Sequence, residues 1–240
     1  MTNAPVIQQI AEVLLRRKTS RLLTVAVDGI DAAGKTTLAD SQGIELQRRG
    51  FHVIRASIDG FHNPAEVRYA RGKLSPEGYF YDSFNYDALI KFLLLPLRGA
   101  PGREYRSKVF DFGTDLPVRS APIAVPDDGL LIFDGVFLFR PELLEYWDIK
   151  IFIDISFEES LRRALRRDRY LFGKSQEIEK RYTRRYIPGQ KLYLGLCHPK
   201  TMADIVIQNK DPSHPTLEII GEQILPAAQS PRKEKYVRLS

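Results

Sequence analysis

The residues best suited to chemistry lie between positions 29 and 37, where glycine, lysine and threonine occur at a spacing that suits phosphate binding. They are Gly29, Ile30, Asp31, Ala32, Ala33, Gly34, Lys35, Thr36 and Thr37. Two glycines separated by four residues and followed by Lys and Thr form the Walker A pattern, whose backbone N–H groups surround phosphate oxygens. Lys35 would reach the terminal phosphates, and the Thr36 hydroxyl would bind Mg²⁺. We therefore predict that this segment binds ATP and magnesium, and the choice between ATP and GTP stays open.

Two aspartates follow short apolar runs that are typical of buried strands. Asp59 follows the run 52–58, and Asp134 follows the run 130–133. The carboxyl ends of parallel strands face the ligand crevice in a doubly wound sheet. We predict that Asp59 accepts or orients the proton of a substrate hydroxyl and that Asp134, like Thr36, contributes to the magnesium site. Both acids precede a glycine, so a simple turn-forming role stays open for each.

Apolar runs alternate with helical patterns along the chain, as in α/β proteins with a parallel sheet. We predict a P-loop NTPase fold in which a parallel sheet is flanked by helices. One kinase domain would cover residues 1–228, and residues 229–240 would form a flexible basic tail. The predicted elements are strands at 22–27, 52–58, 130–133, 149–153 and 203–207, and helices at 5–17, 35–49, 86–97, 158–169 and 215–225.

An insertion over about residues 60–126 is expected on the acceptor side of the domain. Its part 63–84 is rich in Pro, Gly, Tyr and charge without sustained periodicity, so we predict mostly loop there. The part 101–126 is another irregular stretch, with short strands around 108–112. Long loops inside a compact domain are usually functional. The candidate substrate-binding residues here and at the adjoining strand end are Asp59, Phe61, His62, Tyr81, Phe84 and Tyr105.

Charge and composition narrow the class of protein. The 240 residues carry a formal net charge of +6, and much of the excess lies between Arg162 and Arg185. This balance suits nucleic acid, an anionic surface or a phosphate-rich substrate, but no recognised nucleic-acid module is present. The single cysteine, Cys197, excludes an internal disulfide. The single cysteine also favours a reducing compartment, so we expect a cytoplasmic protein. No apolar run approaches the roughly 20 residues of a membrane span, so we expect no membrane partner, and we expect no nucleic-acid partner either. A homo-oligomer stays open.

These residues resemble the uridine kinase and phosphoribulokinase family of P-loop kinases, which includes a bacterial type of pantothenate kinase. The resemblance covers about residues 22–209. It rests on the Walker A loop, Asp59-Gly60-Phe61, the strand end at 130–135, the segment 163–168 and Ala203-Asp204. It implies a kinase with Asp59 as catalytic base, Asp134 assisting magnesium and an arginine-rich lid over about residues 163–190. Within that lid, Arg163 and Arg167 are the catalytic candidates because mobile arginines stabilise charge on transferring oxygens.

The acceptor-side segments differ from those of typical uridine kinases. The stretch 83–87 reads Ser-Phe-Asn-Tyr-Asp, and Phe110-Asp111-Phe112 lacks a following His. Arg71-Gly72 and Glu77-Gly78 resemble the pantothenate kinase branch instead. We expect a small-molecule acceptor, with a nucleoside such as uridine or cytidine first and pantothenate or another hydroxylated metabolite second. An ATP-binding regulator that transfers no phosphate to a metabolite is the alternative of another class.

Overall fold

A six-stranded sheet forms the centre of the computed structural model, which describes residues 4–19, 21–99, 103–167 and 175–219. Its strands are β1 (Leu23–Gly29), β2 (Val53–Ser57), β7 (Leu130–Asp134), β8 (Ile149–Asp154), β9 (Ile205–Gln208) and β10 (Thr216–Ile219). The order across the sheet is β10-β9-β8-β1-β7-β2, and every pair except β10 with β9 is parallel. The predicted fold class is confirmed.

Both faces of the sheet are covered, which explains why its central strands read as continuous apolar runs. All residues of β1 and β7 are buried. Side chains alternate between the faces with a period of two, so Val25 and Val27 join one hydrophobic cluster and Ala26 joins the other. The strand ends are therefore held rigidly between two packed layers.

Helices cover the sheet from both sides. They are α1 (Ala4–Arg17), α2 (Lys35–Arg48), α3 (Ala65–Arg68), α4 (Pro76–Asp82), α5 (Tyr86–Leu89), α6 (Leu95–Arg98), α7 (Pro141–Leu144), α8 (Phe157–Arg167), α9 (Ser175–Arg181), α10 (Ile187–Cys197) and α11 (Pro199–Met202). The predicted helix at 5–17 is α1, and its residues Ile10 and Leu14 are wholly inaccessible. Two π-helical turns, Ile90–Leu94 and Tyr182–Tyr186, join α5 to α6 and α9 to α10.

The acceptor-side insertion contains more helix than its composition predicts. The stretch 63–84, expected to be a loop, holds α3 and α4. Helix α4 begins where Ser75 accepts a hydrogen bond from the Gly78 N–H and Pro76 occupies the first turn, both of which are helix-start signals. Beyond it, β3 (Glu104–Tyr105), β4 (Phe110–Asp111), β5 (Leu116–Pro117) and β6 (Ile123–Ala124) form two short antiparallel pairs. The expected strand near 108–112 is therefore confirmed.

The predicted final helix at 215–225 is wrong over its described part. Residues Thr216–Ile219 form β10, which pairs antiparallel with β9. Alternation places Leu217 and Ile219 against the hydrophobic cluster while Thr216 faces solvent. Tertiary pairing at the open sheet edge thus overrides the local helical pattern.

Some predictions fall on residues outside the described ranges. Helix α8 ends its described part at Arg167, so the expected continuation to 169 and the part of the lid over 168–174 lie outside them. The predicted basic tail at 229–240 also lies outside. Among the described helices, none is long and apolar enough to cross a membrane.

Candidate active site

The loop between β1 and α2 has a backbone shape that requires small residues. Gly29 has a φ of +153°, and a Cβ there would lie 2.6 Å from the Ile153 carbonyl oxygen. Gly34 has a φ of +100°, and Ala32 also adopts a positive φ of +58°. The first-turn N–H groups of α2 have no helical acceptors, so they can receive an anion. The predicted phosphate loop thus has the geometry that its sequence requires.

Contacts on the outer side of this loop occupy its carbonyl groups. Ser160 Oγ donates to the Asp31 carbonyl at 2.7 Å, and Asn209 Nδ2 donates to the Ala33 carbonyl at 2.8 Å. Arg163 Nη1 lies 3.4 Å from the carbonyl oxygens of Ala32 and Ala33. Glu159 orients Arg163 through a 2.6 Å ion pair. Arg163 therefore contacts the loop backbone and helps to hold its shape.

The predicted magnesium ligands touch each other. Thr36 Oγ1 donates to Asp134 Oδ2 at 2.6 Å, and the other Asp134 oxygen forms a 2.9 Å ion pair with Arg55. Asp134 is 2% exposed. Hydroxyl and carboxylate oxygens are ligands that Mg²⁺ accepts, and it usually completes its shell with phosphates and water. In the described part of the chain no group of three acidic, His or Cys side chains could hold a metal ion.

Lys35 is half-buried near the acidic side chains of Asp28, Asp31, Asp59 and Asp134. Its Nζ donates to the Ile30 carbonyl at 2.8 Å. Burial lowers the pKa of Lys35, while the negative charges of Asp31 and Asp28 raise it. Burial raises the pKa of Asp28 to about 6, and Asp28 accepts hydrogen bonds from the Gly29 and Leu138 N–H groups. The negative charges near the end of β1 therefore favour the protonated form of Lys35.

Asp31 joins the phosphate loop to two helices of the other layer. Its Oδ2 accepts a 3.0 Å hydrogen bond from Tyr79 of α4 and a 2.6 Å bond from Gln190 of α10. Burial raises the pKa of Asp31, whereas Lys35 lowers it. This residue, which the Walker A pattern leaves unspecified, therefore ties the loop to α4 and α10.

Two cavities meet at the phosphate loop. The first, which we call the nucleotide cavity, has a volume of about 490 Å³ and is lined by Gly34, Thr37, Arg163 and Asn209, among others. The second, the acceptor cavity, measures about 390 Å³ and includes Asp59. Both share four lining residues, Ala32, Lys35, Thr36 and Arg167. A group bound at these four residues would be reachable from either side.

Asp59 lines the acceptor cavity and belongs to the short 3₁₀ turn Ile58–Phe61, which directly follows β2. Although water reaches it through the cavity, desolvation by the surrounding protein and the negative charge of Asp134 raise the pKa of Asp59. Lys35 and Arg167 lower it. Gly60 is required beside it because a Cβ there would lie 2.7 Å from Lys108 Cβ. The carboxylate is thus placed next to the shared lining residues.

His62 and two phenylalanines form an aromatic wall of the acceptor cavity. The His62 ring centroid lies 4.5 Å from that of Phe84 and 4.6 Å from that of Phe112. Burial lowers the pKa of His62 to about 4, so the ring is neutral near pH 7. Its Nδ1 lies 3.1 Å from the Asp59 carbonyl oxygen and must donate to it, which leaves Nε2 as an acceptor.

The predicted site residues are not all brought together. Lys35, Thr36, Asp59, His62, Phe84, Asp134 and Arg167 line the acceptor cavity. Phe61 is fully buried in the core and contacts Phe133, Tyr105 is buried in β3, and Tyr81 is 46% exposed on α4. These three residues line neither cavity, so their contact with an acceptor stays a prediction.

Several lining residues were not predicted from the sequence. Arg68 of α3 and Tyr69 enter the acceptor cavity from the insertion, and Tyr182, Arg185 and Tyr186 enter it from the second π-helical turn. The lid was predicted as a set of arginines, but no local pattern distinguishes Arg185 from its exposed neighbour Arg184. Contacts between distant segments, which the sequence does not display, decide which side chain faces the cavity.

Comparison with known proteins gives consistent matches. The model of the phosphoribulokinase / uridine kinase family matches residues 24–213. Uridine-cytidine kinase A of Dictyostelium discoideum is 28% identical over 209 residues, which cover 82% of this chain and 40% of the relative. A pantothenate kinase of Streptomyces avermitilis is 28% identical over 178 residues, covering 68% of this chain and 52% of the relative. The chain therefore spans about half the length of these relatives, or less.

A solved structure shows the same fold. It is described as a possible uridine kinase from Bacillus stearothermophilus and superposes with a TM-score of 0.67 at 24% identity. The match covers 83% of this chain and 96% of that one. At this identity the likeness supports the fold of the chain.

Proposed function

Because the chain belongs to the phosphoribulokinase / uridine kinase family of P-loop kinases, we propose that it transfers the γ-phosphoryl group of ATP to a hydroxyl of a small metabolite. The observation that carries this proposal is the meeting of the two cavities. Their four shared lining residues include Lys35 and Thr36 of the phosphate loop. A triphosphate that enters from the nucleotide cavity would place its last phosphate where an acceptor can reach it.

The roles of the residues follow from their positions. The N–H groups of the loop and Lys35 would bind the phosphates, and Thr36 and Asp134 would hold Mg²⁺, which neutralises charge on the transferring group when it is bound. Asp59 would accept or orient the acceptor hydroxyl proton. Arg167 lines both cavities and would stabilise charge on the phosphoryl oxygens. Arg163 would act by shaping the loop.

Two acceptor classes are supported by the relatives, which are uridine-cytidine kinases and pantothenate kinases. Nucleosides and pantothenate both carry a hydroxyl group whose proton Asp59 could accept. The aromatic wall at His62 suits a flat or apolar part of an acceptor. These acceptors are therefore the first to be tried.

The test is acceptor-dependent release of ADP from magnesium ATP, measured over uridine, cytidine, pantothenate and simple hydroxy acids. We expect one acceptor to raise the rate far above the rate without acceptor. Tight ATP binding with no acceptor-dependent release would contradict the proposal and favour an ATP-binding regulator.

A further inference from the structure

The inner part of the acceptor cavity holds two buried guanidinium groups that belong to different segments. Arg68 is 5% exposed and Arg185 is 3% exposed, and both line the cavity. They are close enough that the positive charge of Arg68 lowers the pKa of Arg185, in addition to the larger effect of burial. Neither residue belongs to the phosphate loop.

These two cations have only one carboxylate between them in the described part of the chain. Arg68 Nη2 pairs with Asp115, whose side chain is 39% exposed. Arg185 donates to main-chain carbonyls, at 3.1 Å to Ser75 and 3.2 Å to Arg68, and forms no ion pair there. The Arg185 guanidinium also packs on the Tyr69 and Tyr79 rings, so it is stabilised by neutral groups and remains suited to pair with an anion.

Arg68 also has an unused donor. Its Nε is buried without a hydrogen-bond partner, while the guanidinium carbon lies 4.4 Å from the Phe112 ring centroid. Buried N–H groups in folded proteins are nearly always paired, by a ligand if not by protein. Arg68 thus keeps one donor that no described group uses, and a ligand atom would reach this covered Nε only after the side chain turned.

The other charges of the cavity are needed elsewhere. Lys35 and Arg167 line both cavities, and their charges act on the nearby carboxylates of Asp31 and Asp59. His62 lines the same cavity and is uncharged near pH 7 because its pKa is about 4. Arg68 and Arg185 thus carry two positive charges against the single carboxylate of Asp115.

We propose that the acceptor carries an anionic group, a carboxylate or a phosphate ester, which Arg68 and Arg185 bind while its hydroxyl lies at Asp59. This inference rests on the proposed kinase function and narrows its acceptor to acidic hydroxylated metabolites. Neutral nucleosides, which leave the Arg185 guanidinium without a counter-charge, become the weaker ligands. The carboxylate and the phosphate share the same chemistry toward arginine.

The first test measures binding to the full chain by calorimetry with Mg²⁺ and a non-hydrolysable ATP analogue present. Matched pairs differ only in the anionic group: pantothenate and pantothenyl alcohol, glycerate and glycerol, ribose 5-phosphate and ribose. We expect an acid to bind at least about tenfold more tightly than its neutral partner and more tightly than uridine. Equal affinities within every pair, or binding of uridine but of no acid, would overturn the inference. Comparison of the phosphate pair with the two carboxylate pairs shows which of the two anionic groups the site prefers.

The second test uses variants. Arg68→Gln should raise the KM of the preferred acid at least about tenfold and change that of its neutral partner by less than about threefold. Arg71→Gln is the matched control, because Arg71 is exposed, pairs with Asp82 at 2.7 Å and does not line the cavity. Thermal unfolding checks that both variants fold. If Arg68→Gln fails to fold, Arg185→Gln takes its place in the same assay. Equal changes for acid and neutral acceptors would contradict the proposal.

Failure of this inference differs from failure of the kinase proposal. If neutral acceptors are phosphorylated as well as acids, only the anionic group is wrong. If acids bind preferentially but no acceptor releases ADP, the anion site stands and the transfer reaction does not.

Discussion

Replacing Asp59 by Asn tests the step on which phosphoryl transfer would depend. The substitution keeps the size of the side chain and removes the negative charge that would accept or orient the hydroxyl proton. A positioned general base typically contributes about 10²–10⁴-fold, so kcat should fall by that factor, or by about 3–5 kcal/mol of transition-state free energy. Asp59 does not line the nucleotide cavity. The KM for ATP should therefore change by less than about threefold.

The assay is acceptor-dependent ADP release over a range of pH. Because desolvation and Asp134 raise the pKa of Asp59, wild-type kcat/KM should be high above that raised pKa and should fall as the pH drops through it. The Asn variant should lose this acidic limb. Asp87→Asn, which makes the same change at an exposed position of α5, should behave as wild type. A rate for Asp59→Asn within about threefold of wild type would refute the role of Asp59 as base.

Three further changes test the loop and its support. Lys35→Ala should lower kcat at least about 10²-fold in the same assay, because it removes the cation next to the transferring phosphate, and a small loss would contradict its role. Gly29→Ala should destabilise the fold by about 1–3 kcal/mol in urea unfolding, since its Cβ would lie 2.6 Å from the Ile153 carbonyl oxygen; an unchanged midpoint would refute this. Burial raises the pKa of Asp28 from 3.8 to about 6. As the pH rises, the unfolded chain therefore releases this proton before the folded chain does. Between about pH 4 and 6 the wild type should lose up to about 3 kcal/mol of stability relative to Asp28→Asn, as measured by denaturant titration at each pH. A difference in stability that does not change with pH would contradict the assignment.

The phosphate loop and the central strands could be predicted because their signals are local. The Walker A spacing determines the loop shape, and apolar runs ending in Asp134 or Asp154 belong to strands buried on both faces. Thr36 and Asp134 are far apart in sequence, yet the rule that parallel strands end at one edge was enough to place them together.

The acceptor cavity could not be predicted to the same extent because its walls come from separate segments. Arg68 and Arg185 meet only after α3 and the π-helical turn Tyr182–Tyr186 pack together, and Arg185 then caps carbonyl groups of the insertion. Helix α4 was missed because its start signals at Ser75 and Pro76 lie in a segment whose composition favours loops. The edge strand β10 was missed because pairing with β9, rather than local pattern, decides its conformation.

The most direct measurement follows the labelled γ-phosphate of ATP into product with the wild-type chain, Mg²⁺ and an acidic hydroxylated acceptor. We expect the label to appear on the acceptor hydroxyl, with one ADP formed for each acceptor phosphorylated and no transfer by Lys35→Ala. Label that stays in ATP, or that appears only as inorganic phosphate at a rate independent of any acceptor, would contradict a metabolite kinase.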